Sequence, residues 1–202
     1  SEMCIRDRSK IILLTTAILI FVPAIFFFVC DFGQVSIGKR TLLSLFQSVT
    51  TRTAGFNTAD LSSMTEAGQA IMILLMLIGG SPSSTAGGMK TTTAAALLLN
   101  AFATFRSRED AGAFGRRFDG QVIKNAATIA MLYFVLFFFG GITISVYEGL
   151  SLQLCLYEAA SAVGTVGLTL GITPGLHILS RLILIVLMYL GCLLYTSPSP
   201  RD

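Results

Sequence analysis

Of 202 residues, 53% are hydrophobic and 12% are charged, and the mean hydropathy is +0.77. An ordinary soluble domain is about one-quarter charged. The 14 basic and 11 acidic residues, net +3, are too few to solvate a globule this apolar, which excludes a soluble enzyme, a nucleic-acid binder and a disordered linker.

Residues 1–8 and 192–202 differ in texture from what lies between. Both strings resemble a sequencing-library adapter read through in frame, so the biological chain is expected to run from about Ser9 to Gly191 and to be open at both ends. The four cysteines, Cys4, Cys30, Cys155 and Cys192, stand far apart, at no metal-site or disulfide spacing. Cys30 and Cys155, which lie outside the tails, read as packing residues in lipid-embedded helices.

A helix needs about 20 apolar residues to cross a bilayer. Residues 11–30 carry no charge and predict the first span. Pro23 lies inside it, which a membrane helix tolerates when a neighbour satisfies the freed carbonyl. Residues 41–51 are too short to cross. Residues 67–89 are uncharged, Lys90 interrupts, and 91–105 are uncharged again. Next comes the densest basic stretch: Arg106, Arg108, Arg116, Arg117 and Lys124 against Glu109, Asp110 and Asp119. Short and flanked by spans, it is expected to face the cytoplasm, with Lys10 on the same side and the connections after Cys30 and Tyr147 outside. Residues 125–147 predict a further span, 151–163 another short segment, and 182–191 the start of a last helix.

Slid against itself by 112 residues, the chain places Thr53-Ala54-Gly55-Phe56 on Thr165-Val166-Gly167-Leu168. Met76 then falls on Met188, Gly79 on Gly191, and residues 11–30 on 123–142, without a gap. Two copies of one unit are predicted: a long span, a short amphipathic segment, a glycine-centred turn and another span. A short helix followed by an extended loop is the pattern of a re-entrant pore hairpin. Irregular backbone at membrane depth survives only where it lines a cavity or is buried in protein, and there its carbonyls can replace the water around a cation. Thr165-Val166-Gly167 has the chemistry of a potassium filter strand.

The strings Phe46-Gln47-Ser48-Val49-Thr50-Thr51-Arg52-Thr53-Ala54-Gly55-Phe56-Asn57-Thr58 and Gly79-Gly80-Ser81-Pro82-Ser83-Ser84-Thr85-Ala86-Gly87-Gly88-Met89-Lys90-Thr91-Thr92-Thr93 closely resemble the pore subunit of bacterial Ktr potassium transporters, of the Trk/Ktr/HKT superfamily. The later Ser161-Ala162-Val163-Gly164-Thr165-Val166-Gly167-Leu168 fits the same family. The resemblance implies an all-α membrane protein of four span–pore-helix–filter-loop–span units around one ion path. This chain would supply the third, over 9–105, and a truncated fourth, over 121–191, joined by a cytoplasmic loop over 106–120.

Carried over by position, Thr53, Ala54, Gly55 and Phe56 would form the third filter strand, and Thr165, Val166, Gly167 and Leu168 the fourth. Their backbone oxygens would hold dehydrated potassium. The family's intramembrane gating loop would fall on Gly79, Gly80, Ser81, Pro82, Ser84, Thr85, Gly87, Gly88 and Lys90. Glycine and proline break a helix there, and the hydroxyls need water or ions. The arginine that the family places after the glycine matching Gly191 has no counterpart, because Cys192 stands there.

The resemblance also implies a multi-pass plasma-membrane location, a cytoplasmic nucleotide-binding ring as regulatory partner, and a homodimer. It implies no nucleic acid, no enzymatic activity and no cofactor beyond the transported potassium, with possible sodium dependence. The alternatives are a sodium-permeable member of the superfamily, a broken-helix secondary transporter of another solute, and a membrane scaffold.

Several residues carry two readings each. Lys90 is a charge near the gate or a residue snorkelling to the interface. Arg52 is a structural brace or an ion contact. Glu158 hydrogen-bonds the filter backbone or reaches water at the outer mouth. His177 reads as interfacial, and the phenylalanine runs at 26–28 and 137–139 as lipid-facing or packing. The Gly-Gly-Met-Lys string at 87–90 fails as a phosphate loop, since Met89 separates glycine from lysine and no strand precedes it.

Overall fold

The computed structural model describes residues 5–80, 88–106, 112–113, 116–117 and 120–196. Among them the chain forms seven α-helices: α1 Ile5–Cys30, α2 Ile37–Thr50, α3 Glu66–Leu77, α4 Thr91–Phe105, α5 Gly120–Glu148, α6 Leu152–Val163 and α7 Ile178–Thr196. In the basic connection, β1 Gly112–Ala113 pairs antiparallel with β2 Arg116–Arg117. Short 3₁₀ turns, Leu61–Ser63 and Thr173–Gly175, precede α3 and α7.

Among the described residues, two helices are long and apolar enough to cross a membrane, at Ser9–Cys30 and Gly120–Glu148. α1 carries Pro23 without ending. Proline removes one backbone donor and crowds the carbonyl four residues back, a break worth about 3 kcal/mol when nothing compensates. Here the Ser48 hydroxyl, on α2, donates to the Ile20 carbonyl at 2.7 Å and lies 3.4 Å from that of Leu19. The carbonyl that proline leaves without its N–H is that of Leu19, four residues back; Ser48 is in reach of it, while its shorter bond goes to the neighbouring Ile20 carbonyl.

α2 starts at Ile37, earlier than the expected segment at 41–51, because its charged first turns do structural work. Arg40 donates from Nε to the Phe28 carbonyl at 2.5 Å and stacks 4.4 Å over the Phe28 ring, closing the end of α1. At the head of α3, Asp31 Oδ1 accepts from the Thr65 backbone N–H and hydroxyl at 2.8 and 2.7 Å. Thr65 in turn caps Gly68 N–H at 3.1 Å.

α6 packs against α3, α5 and α7 and lies at the centre of the core. Small residues let these helices approach. A Cβ on Gly140 would meet Leu187 Cδ1 at 2.6 Å, and one on Gly141 would meet Leu156 Cδ2 at 2.6 Å. Tyr133 on α5 donates to the Gly191 carbonyl of α7 at 2.6 Å, inside the core.

The apolar stretch 67–105, interrupted by Lys90, is not one span. α3 ends at Leu77 and α4 begins at Thr91. The α7 helix, by contrast, runs through Gly191 without interruption.

Candidate functional site

α2 and α6 each end in a turn that opens into extended backbone and a 3₁₀ turn. The first turn is tied by Ala54 and Gly55 N–H groups to the Thr50 carbonyl at 3.2 and 3.1 Å. The second is tied by Thr165 N–H to the Ala162 carbonyl at 3.1 Å and Val166 N–H to that of Ser161 at 2.9 Å. Both then run free of helix or sheet pairing.

Within each turn the sign of φ alternates. Thr53 has φ +66° and Gly55 +72°; Thr165 has +53° and Gly167 +90°. Ala54, Phe56, Val166 and Leu168 are not positive. Threonine is β-branched, and holding it in the left-handed region costs about 1–3 kcal/mol, which persists only where the surroundings over-determine it. Thr53 and Thr165 are the two non-glycine residues with positive φ among the described residues, and they stand 112 positions apart. Alternation of hand turns successive peptide planes alike, so a run of carbonyl oxygens can face one side.

The fold brings the two turns together. A Cβ on Gly55 would collide with the Val166 carbonyl oxygen. Glycine is required there for close approach as well as for φ. Behind the second turn, Gly164 lies against the Met76 carbonyl of α3 and Gly191 against the Val163 carbonyl, again with no room for a Cβ.

The side chains that hold the turns differ. Thr50 donates to the Phe56 carbonyl at 2.7 Å. Its use leaves one lone pair on that oxygen. Glu158, 4% exposed, accepts from the Thr169 hydroxyl at 2.6 Å, the Thr173 hydroxyl at 2.7 Å and the Leu170 N–H at 3.0 Å. The backbone N–H that Glu158 bonds is that of Leu170, two residues past the predicted filter strand rather than within it. Thr50, Thr169 and Thr173 were not among the predicted site residues. Their signal is weak, since a threonine beside a glycine turn is common.

Arg52 is half-buried, with Nη2 3.5 Å from the Gly79 carbonyl and Nε buried without a partner. It therefore ties the first turn to the point where α3 stops. Of the predicted loop, Gly79, Gly80, Gly88 and Lys90 are described; Ser81, Pro82, Ser84, Thr85 and Gly87 lie outside the described residues. The loop's two ends are joined. Met89 N–H donates to the Leu77 carbonyl at 3.0 Å, and Thr91 N–H to that of Gly80 at 3.2 Å. Gly88, at φ +75°, would place a Cβ 3.1 Å from Gly79. Lys90 is the N-cap residue of α4. His177 lies at the head of α7, its N–H donating to Glu148 Oε1 at 2.9 Å and its ring edge-on to Tyr147.

Long apolar helices, with short helices packed against them that each end in a strained turn, are the architecture of a polytopic membrane protein. The comparisons agree. A family profile described as TrkH, cation transport protein, matches residues 9–197. The potassium/sodium uptake protein NtpJ of Enterococcus hirae is 36% identical over 193 residues, covering 91% of this chain and 43% of that protein. The Ktr system potassium uptake protein B of Bacillus subtilis is 33% identical over 190 residues, with the same two shares. The crystal structure of the potassium transporter TrkH from Vibrio parahaemolyticus superposes with a TM-score of 0.74 at 21% identity, over 93% of this chain and 42% of that one.

The chain belongs to the TrkH cation transport protein family, a family of transporters and not of enzymes, and is a multi-pass plasma-membrane protein. It spans about two-fifths of the length of these relatives.

Proposed function

We propose that the chain contributes the third and fourth of four pore units to a potassium-uptake protein. Residues 53–56 and 165–168 would then be neighbouring strands of one selectivity filter. The observation that carries this reading is the pairing of alternating φ at both turns with backbone contact between Gly55 and Val166. Four peptide oxygens per strand, from Thr53 to Phe56 and from Thr165 to Leu168, stand in for the water shell of potassium. No bond is made or broken. Selectivity follows from how rigidly the oxygens are spaced.

The segment from Gly79 to Lys90 acts as the gate. It lies where a span is interrupted, its ends are joined by backbone hydrogen bonds, and Arg52 reaches its first carbonyl. The basic connection after α4 faces the cytoplasm, where a nucleotide-binding ring would dock on a dimer of full-length chains. A sodium-permeable variant of the same mechanism is the second reading, favoured by the likeness to a potassium/sodium uptake protein. A broken-helix solute transporter fits less well, because the two units run in the same sense.

The test is uptake by the full-length protein in cells lacking potassium import. Gly55→Ser and Gly167→Ser are each expected to abolish the preference for potassium over sodium. Unchanged preference in both variants would remove the filter assignment.

A further inference from the structure

The second turn leaves its helix without a backbone partner for several residues. Turn hydrogen bonds end with Val166 to Ser161 and resume with Gly175 to Ile172. Gly167 has open space where a side chain would stand, while Val166 and Leu168 on either side are buried in the core. Beyond them, the side-chain hydrogen bonds of the segment converge on Glu158. Glu158 receives the Thr169 hydroxyl, the Leu170 N–H and the Thr173 hydroxyl, and Gly171 N–H donates to Thr169 Oγ1 at 2.9 Å. An ionised carboxylate only accepts, and such bonds are about twice as strong as neutral ones. Glu158 is buried on α6, a helix fixed by three neighbours. Its position 112 residues earlier holds Phe46, which can make no such grip.

We propose that Glu158 is a positioning residue that clamps the backbone just beyond the strand at 165–168 and thereby sets the spacing of that strand's carbonyl oxygens. The proposal rests on the filter reading above. It makes the carboxylate's geometry, and not its charge, the determinant of selectivity. The network itself allows the two to be separated. Thr169 Oγ1 and Thr173 Oγ1 are 3.0 Å apart, and both protons now point at the carboxylate. In Glu158→Gln, Oε1 keeps the bonds from Thr169 and Leu170. The new amide N–H donates to Thr173 Oγ1, whose own proton turns to Thr169. Every group but the amide's second N–H stays paired without the charge.

The experiment measures potassium uptake and the potassium-over-sodium ratio of the full-length protein, normalised to the amount inserted in the membrane. Glu158→Ala is expected to lower the ratio about tenfold or more, the scale set by losing buried charge-assisted hydrogen bonds. Thr173→Val, which removes one donor and keeps the volume, is expected to lower it about threefold. Glu158→Gln is expected to restore the ratio to within about threefold of the parent. A fall in Glu158→Gln as large as in Glu158→Ala overturns positioning in favour of charge. Should Glu158→Ala not reach the membrane, Thr173→Val decides: an unchanged ratio overturns the clamp. Gly167→Ser is run alongside. If it abolishes the preference while Glu158→Ala and Thr173→Val do not, the clamp falls and the filter stands. If Gly167→Ser changes nothing, the filter reading falls first.

Discussion

α2 and α6 carry the same backbone into the same kind of turn, yet their surroundings are unlike. Within this chain, which spans about two-fifths of its relatives, α2 packs chiefly on α1, leaves Leu42 and Val49 exposed, and ends in a turn whose Phe56 is 69% exposed. α6 is buried from Tyr157 to Val163, and the matching Leu168 is 2% exposed. Each brace answers a local need. Ser48 stands opposite the Pro23 break, while its counterpart Ala160 is buried on α6, and α5 has valine at the position matching Pro23 and no broken ladder to mend. Thr50 pins the first turn and Glu158 the second. The backbone geometry is what the two units share; the side chains that enforce it are chosen by what each helix has for neighbours.

The sharpest way to break this comparison is to fill the two glycines. Gly55→Ala adds left-handed strain of about 1–2 kcal/mol and a clash with the Val166 carbonyl of about 1–3 kcal/mol more. Gly167→Ala meets open space and bears the strain alone. Thermal unfolding of the purified full-length protein should therefore fall further for Gly55→Ala. Equal losses would mean that the turns are not in contact.

A second prediction concerns the proline. Ser48→Ala is expected to cost about 1–2 kcal/mol, because the hydroxyl that serves the part-buried carbonyls beside the proline break is lost. Combined with Pro23→Ala, which restores the donor, most of that loss should vanish, giving a coupling of about 1 kcal/mol or more in a double-mutant cycle. Ala160→Ser in the sister helix should destabilise instead, since it buries a hydroxyl with no vacant carbonyl to meet. Additive effects at Ser48 and Pro23 would refute the mending role.

Much of this was legible. Uncharged length marks the spans, the Gly79-Gly80 pair marks where α3 cannot continue, and the offset of 112 anticipates two turns of one kind. The offset also carries the 3₁₀ turn at Leu61–Ser63 onto Thr173–Gly175. What escaped the sequence was set by tertiary contact. Propensity argues against left-handed threonine, so Thr53 and Thr165 give no sign of their φ. The partners of Glu158 lie 11 to 15 residues away, on extended backbone with no periodicity to read. The charged turn at Lys39 and Arg40 reads as a loop until Arg40 is seen to close α1.

The smallest expected difference lies in the two 3₁₀ turns. Asp60 Oδ1 accepts from the Ser62 hydroxyl at 2.6 Å and the Ser62 N–H at 3.1 Å, and the Ser62 bonds hold its carboxyl below the ordinary carboxylate range. A depressed pKa contributes stability that is present above the unfolded value, about 3.9, and is lost as pH falls through the folded one. The turn at Thr173–Gly175 starts with proline near its head and has no carboxylate on its own cap. Exchange protection of the Ser62 and Ser63 amides, corrected for intrinsic rate, should decline below about pH 4. Asp60→Ala should erase that decline.

The central claim is that the turns at 53–56 and 165–168 face one cation. Diffraction from the full-length protein loaded with thallium, a potassium surrogate with a strong anomalous signal, addresses it without recourse to mutants. An anomalous peak bounded by peptide oxygens of both turns is the result expected. A peak that touches neither turn, with those oxygens bonded to protein groups, would contradict the account.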